Sequence, residues 1–468
     1  MVFDISEQIT FIQERKYQKK ILTILKNVYH EQTNSPVLVE LDCGLGKRIL
    51  SYLIVSRYFP NLRTLILLQA TSSLSETVDF FCNKYKMEVG YLGSSTPPYK
   101  RISILKNYRV VLATPQTLSN TIKKSTEIIN FDLILINEVD KIIRRTATRR
   151  TLIYPYPTIL SYFGSWIIGL SGTLRDSHVI ITDTVRLKPE LQTLAENLLD
   201  VRIITMDEIM SGDSDLNDYV EYTSLKGHSI EDPVIYALFT KLDDLVKEYR
   251  KKILDEARKE GLITKDTKNL ALIAGQLPVD SEIKGKYDSL LMMRKYITGM
   301  LPVKFKPFLH RFPEFSKEEI NEISNKSKKI QNLIPIIGNS QKTIVMVSYV
   351  YTGEIIQTYL TKSGFKTFFI SGKVYDKSKV VNEFRSSDSG PSVLIMTSVG
   401  ERDLDIPESK KIIVYDTVNT TKTMYQRFKR TRGGEVICMY YKDTSEEAKV
   451  KRLYKAIQEK YPWSINLE

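Results

Sequence analysis

The sequence predicts an α/β fold class: two domains, each built on a parallel β-sheet, with a helical block inserted between them. Three observations predict it. At 468 residues the chain is too long for one ordinary domain. Short, continuously apolar runs alternate with polar, helix-compatible stretches towards both ends, as expected of parallel strands buried on both faces. Between these regions the apolar residues recur at three- and four-residue spacing with charges interleaved, which is the helical period.

In the first region, residues 1–225, the apolar runs are PVLVEL (36–41), TLILLQA (64–70), YRVVLAT (108–114), FDLILIN (131–137) and SWIIGLSG (165–172). Stretches such as SLSETVDFFCNKY lie between them and suit crossover helices. The block at 226–335 carries IYALFTKLDDLVKEYRKKILDEARKEG, YDSLLMMRKYITGML and KEEINEISNKSKKIQNLIPII, and reads as a helical insertion or third domain. In the last region, 336–468, strand-like runs return as KTIVMVSYV (342–350), KTFFISG (366–372), SVLIMTS (392–398), KIIVYD (411–416) and EVICMYY (435–441).

Composition narrows the function. The net charge of +13 favours a polyanionic partner, nucleic acid ahead of a membrane surface. Cys43, Cys82 and Cys438 form no CxxC pair, and the four histidines are scattered, so neither a disulfide framework nor a zinc site is expected. The N-terminus lacks the apolar core of a signal peptide, and no apolar stretch reaches the ~18 residues of a membrane span. The expectation is a cytoplasmic protein.

Two motifs carry chemistry. LDCGLGKR (41–48) joins a strand to a helix; Gly44 and Gly46 let backbone amides wrap a phosphate, and Lys47 offsets its charge. The next position calls for a Ser or Thr hydroxyl to bind Mg²⁺, but Arg48 stands there. FDLILINEVD (131–140) ends a strand where an Asp-Glu pair would support the metal and act on the attacking water. Asn137 replaces the Asp, and Glu138 remains as the catalytic carboxylate.

Further motifs follow in order: RKYQ (15–18), ATPQT (113–117), LSGT (170–173), TSVGERDLDIP (397–407) and YQRFKRTRGG (425–434). On these residues the chain resembles the superfamily 2 helicases, most closely the Hef/FANCM branch. The resemblance implies two RecA-like lobes with ATP in the cleft and nucleic acid across their tops. It places Arg15 and Gln18 at the adenine, Gly44, Gly46 and Lys47 at the phosphates, and Asp405 at the ribose. Gln426 and Arg430 would reach toward the phosphates, and Ser171 and Thr173 would couple the lobes. Thr71, Thr114 and Thr397 would touch the nucleic-acid backbone, and the helical block matches that branch's thumb-like insertion.

Departures gather where ATP is hydrolysed. Besides Arg48 and Asn137, Asp140 replaces the His of DEAH and Asp403 the Gly of a GxD turn. The family's QRxGRxGR becomes Gln426-Arg427-Phe428-Lys429-Arg430-Thr431-Arg432-Gly433, with Gly433 at the arginine-finger position. A metal ligand, a metal-supporting charge and a transition-state cation are lost together, so ATP hydrolysis is expected to be absent or very slow with little role for Mg²⁺, the site either binding ATP without turnover or simply being filled. Arg48 would instead put a fixed positive charge in the metal's place. Basic residues persist in KIIRRTATRR (141–150), where Arg144, Arg145, Arg149 and Arg150 are expected to meet phosphates from a loop and helix start.

The reading is an inactivated, Hef-like scaffold on branched or forked DNA. The chain ends soon after the second lobe, so any cutting is expected from a partner such as a nuclease, or recruitment through a sliding clamp. The alternatives are an active ATP-dependent 3′–5′ DNA helicase or translocase at forks, and an RNA-directed relative.

Overall fold

Each apolar run picked out in the sequence is a strand, and full burial of Val37–Glu40, Thr64–Leu67, Val110–Ala113, Trp166–Ser171 and Ser392–Thr397 explains why those runs are continuous rather than alternating. The computed structural model describes residues 12–31, 35–145, 150–174, 179–180, 186–187, 190–264, 267, 270–340, 342–374, 376–387, 390–397, 409–416, 421–431 and 433–467. The chain divides into two units, residues 1–179 with 187–220, and residues 180–186 with 221–468.

The first unit holds β1 (Val37–Glu40), β2 (Thr64–Leu67), β3 (Gly90–Leu92), β4 (Val110–Ala113) and β5 (Leu133–Asn137). A small antiparallel pair follows, β6 (Ile143–Arg145) on β7 (Arg150–Leu152), and then β8 (Trp166–Ser171). β9 (Val179–Ile180) and β10 (Arg186–Leu187) form a separate short ribbon, and β11 (Arg202–Ile204) completes the strands of the first unit. The main sheet runs β11-β1-β8-β5-β2-β4-β3 with every pair parallel. Leu38, Leu65, Val111, Ile134 and Ile136 pack into one core beneath it.

The second unit carries β12 (Thr223–Ile230), β13 (Lys342–Val347), β14 (Lys366–Ile370), β15 (Ser392–Thr397), β16 (Lys411–Val414), β17 (Glu435–Tyr441) and β18 (Ile465–Leu467). Its sheet runs β14-β15-β13-β16-β17-β12-β18, again all parallel. β12 crosses the expected boundary at 225/226: TSLKGHSI is too polar to read as a buried strand, yet it fits between β17 and β18, burying Thr223, Leu225 and Ile230.

The helical block does not have a core of its own. Helices Pro233–Lys259 and Ser281–Gly299 bury Leu238, Leu242, Tyr287, Leu290 and Met293 in one cluster with Val345, Val347, Ile395, Ile413 and Met439 of the second sheet. A buried ion pair fastens the junction. Lys329 Nζ lies 2.6 and 2.7 Å from the two Glu446 carboxylate oxygens, and donates to the carbonyls of Thr298 (3.1 Å) and Tyr415 (3.2 Å). With Tyr441 N–H also donating to Glu446, this charge leaves water with its hydrogen bonds replaced.

Candidate nucleotide site

Sheet order, not sequence order, assembles the site. β1, β8 and β5 are neighbours, so the loop after β1, the LSGT turn after β8 and the acidic turn after β5 emerge side by side at the carboxyl edge of the sheet. That edge is where open parallel sheets bind ligands. Leu41 N–H donates to the Ser171 carbonyl (2.8 Å), holding two of these segments in register.

The Gly-rich loop needs its glycines. Gly46 has φ 77° just before the helix Lys47–Leu53, and Gly44 has φ 83°, backbone geometry that side-chain-bearing residues avoid. Gly172 is needed for proximity instead: a Cβ there would stand 3.3 Å from Cys43 Sγ and 3.4 Å from Lys47 Nζ. The Lys47 ammonium donates to the carbonyls of Leu41 (3.0 Å) and Asp42 (3.1 Å).

The first helix, Lys16–His30, is tied to this loop because the buried Tyr17 hydroxyl donates to the Leu45 carbonyl (2.8 Å). That places Gln18 beside Gly46. Gln18 is 1% exposed; its Oε1 accepts from Arg15 N–H (3.1 Å), while its Nε2 is a buried donor with no hydrogen-bond partner. A buried amide in that state costs stability unless something completes it. Its Nε2 would be 3.2 Å from a Cβ on Gly46, so the donor lies beside the Gly-rich loop. The Arg15 guanidinium lies over the Tyr219 ring, 3.7 Å from its centroid. These residues fit an adenine nucleotide.

The residues do not fit a magnesium ion. Arg48, in place of the hydroxyl ligand, sends its Nη2 to Glu76 Oε2 at 2.6 Å and lies over Phe80, 6.0 Å from the ring centroid. Its guanidinium is thus turned toward Glu76, on the helix Thr71–Asp79. Asn137 has no charge, and its Oδ1 accepts from Ser51, whose hydroxyl is shared with the Lys47 carbonyl (3.3 and 3.0 Å). Glu138, at φ 57°, is paired with Lys141 at 2.6 Å, both side chains nearly half exposed. Nearby, burial holds the Tyr156 phenol well above its ordinary pKa, and the Glu138 charge adds to the effect. Among the described residues no group of three His, Cys, Asp or Glu side chains is arranged to hold a metal.

Asp140 proves to be a connector. Its two carboxylate oxygens accept from Ser171 Oγ (2.5 Å) and Thr173 Oγ1 (3.3 Å), joining the acidic turn to LSGT inside the first unit. Ser51, Glu76 and Tyr17 were not singled out in the sequence. No motif marks Ser51 or Glu76, and Tyr17 stood in view only as a letter of RKYQ.

The expected nucleic-acid residues are spread more widely. Thr71 opens the helix Thr71–Asp79 beyond β2 and is exposed. Thr114, beyond β4, is buried and its hydroxyl donates to Thr117 (2.9 Å). Thr397 ends β15, also buried. The described ends of the arginine segment pair as antiparallel strands rather than forming a loop and helix start: Arg145 is in register with Arg150, and Arg144 with Thr151. Arg144 is exposed. In the second unit Gln426 sits half-buried on the helix Thr421–Phe428, and Arg430 lies in the turn that follows. Arg149, Asp403, Asp405 and Arg432 fall outside the described residues.

Residues 11–176 match the model of the type III restriction enzyme res subunit, and residues 325–434 that of the helicase conserved C-terminal domain. The chain belongs to the superfamily 2 helicases. The crystal structure of the Pyrococcus furiosus Hef helicase domain is similar to it, with a TM-score of 0.59 at 20% identity over 93% of this chain and 97% of that one. Its fold is therefore shared: two RecA-like parallel-sheet domains with helices. A Methanocaldococcus jannaschii protein, provisionally named an ATP-dependent RNA helicase, is 22% identical over 93% of the chain. An ATP-dependent DNA helicase of Sclerotinia sclerotiorum is 23% identical over 95%. The chain spans 59% and 41% of the lengths of these two relatives. Members of this helicase family bind ATP and nucleic acid. Among the described residues no helix is long and apolar enough to cross a membrane.

Proposed function

We propose that this helicase-family chain is a DNA-binding scaffold that grips branched or forked DNA for repair or recombination partners while turning ATP over slowly or not at all. The observation that carries this reading is what stands at the two positions where the family's metal ligands are expected. Arg48 pairs with Glu76 and Asn137 accepts from Ser51, and neither side chain carries the anionic or hydroxyl oxygen that positions a catalytic cation. Gly433, at the arginine-finger position, has φ 76°. Arginine there would carry a backbone penalty, which supports reading the finger as missing.

Support for a nucleic-acid partner comes from the net charge of +13 and the arginine segment. A nuclease or clamp partner is part of the same reading, since a scaffold needs a catalyst to recruit. The test is Mg²⁺-dependent ATP hydrolysis with and without forked DNA, beside fork, linear-duplex and RNA binding by the same preparation. Tight fork binding without turnover is the expected result. DNA-stimulated turnover would sink the scaffold reading, and equal affinity for all three nucleic acids would sink the branched-DNA part.

A working 3′–5′ motor is the second reading. It is favoured by Lys47 and Glu138, which stand where the family pattern expects them, and by the Asp140–Ser171–Thr173 connection, which still joins the acidic turn to LSGT.

A further inference from the structure

We propose that this chain binds ATP as the metal-free tetra-anion, with the Arg48 guanidinium supplying the charge that a magnesium ion would otherwise carry. The inference rests on the nucleotide reading above and deepens it. The triphosphate carries more negative charge than Lys47 alone can offset, and the residues around the loop offer no cation a home. Where a hydroxyl would ligate the metal stands Arg48, and where a carboxylate would support it stands an amide already accepting from Ser51 (3.3 Å).

Arg48 follows Lys47 directly, at the start of the helix that leaves the loop. Its present partner, Glu76, is a weak hold: the two side chains are 40% and 36% exposed, and a pair so open to water contributes little. A triphosphate offers the planar guanidinium a bidentate, doubly charged alternative. In this proposal the guanidinium exchanges Glu76 for phosphate when ATP binds. Gln18 is the independent sign that a nucleotide belongs here, because its buried Nε2 donor beside Gly46 has no partner in the protein.

The experiment is a titration of the intact chain with ATP, followed by calorimetry, once with EDTA and once with Mg²⁺. Affinity in EDTA is expected to equal or exceed that with Mg²⁺. Arg48→Thr should lose roughly tenfold or more of the EDTA affinity, the worth of a hydrogen bond to a charged group. Arg48→Lys, which keeps the charge, should retain most of it, and Glu76→Gln should tighten ATP by releasing the guanidinium. Arg48→Thr combined with Asn137→Asp should make binding metal-dependent. Wild-type affinity that rises about tenfold or more on adding Mg²⁺ would overturn the inference and leave nucleotide binding standing. No ATP binding in either arm would overturn both.

Discussion

Ser171 donates its hydroxyl to Asp140 across 2.5 Å, and Thr173 donates to the other oxygen of the same carboxylate at 3.3 Å. These hydroxyls lie on a segment 31 and 33 residues further along the chain, so one acidic side chain fixes how the turn after β5 meets the end of β8. Asp140 is 4% exposed, and Ser171 and Thr173 are buried as well.

Asp140→Ala should therefore strand two buried hydroxyls. The expected cost to the first unit is about 1–3 kcal/mol, the penalty for leaving a buried polar group without its partner. Asp140→Asn keeps one acceptor and should cost less. Urea unfolding of both variants checks this; equal stability for Ala and wild type would mean that the two hydroxyls find other acceptors.

Gln18 invites the opposite test. Replacing it by Met removes a buried donor that has no partner while keeping the side chain's length. Thermal stability should hold or rise, whereas preference for ATP over GTP should fall by roughly tenfold if the amide reads the base edge. A fall in stability with unchanged base preference would make Gln18 a packing residue.

Arg144, Arg145, Arg149 and Arg150 should act together on DNA. Their replacement by Ala is expected to weaken binding and to reduce the slope of log affinity against log salt by roughly 0.9 for each phosphate that is no longer neutralised. Fluorescence anisotropy over a salt series measures it. An unchanged slope would remove the segment from the interface.

Lys329 and Glu446 form a buried pair, their side chains 1% and 7% exposed. Lys329→Ala leaves the carboxylate buried without its cation and should cost about 3–5 kcal/mol. The double variant Lys329→Met with Glu446→Leu should recover much of that loss, because neither charge then remains to be solvated. A double variant no better than the single one would show that the partners Thr298, Tyr415 and Tyr441 suffer more from losing their hydrogen bonds than the charges suffer from burial.

The parallel strands were legible because burial on both faces leaves an unbroken apolar run, as in LILIN of β5. β12 was not, since Lys226, His228 and Ser229 interrupt TSLKGHSI and only its place between β17 and β18 makes it a strand. The pair β6–β7 has three residues on each side, too few for a period to show, and the segment read as a loop and helix start. In the site, the glycines and Lys47 stood out by their spacing, and Gln18 only through the family resemblance. The fate of Arg48 could not be read: it depends on Glu76, from a separate helix that the chain brings alongside only after folding.

The shared core under the helical block decides where the chain can be cut. A fragment starting at residue 226 would divide β12 and give up Thr223 and Leu225, whereas one starting at 221 would keep the strand whole. Excising the block itself would lay bare Val345, Ile395 and Met439 to solvent and leave Glu446 without its lysine. Limited proteolysis should thus release two stable pieces and not three, and any attempt to transplant the helices as a portable module would have to carry the second sheet along with them.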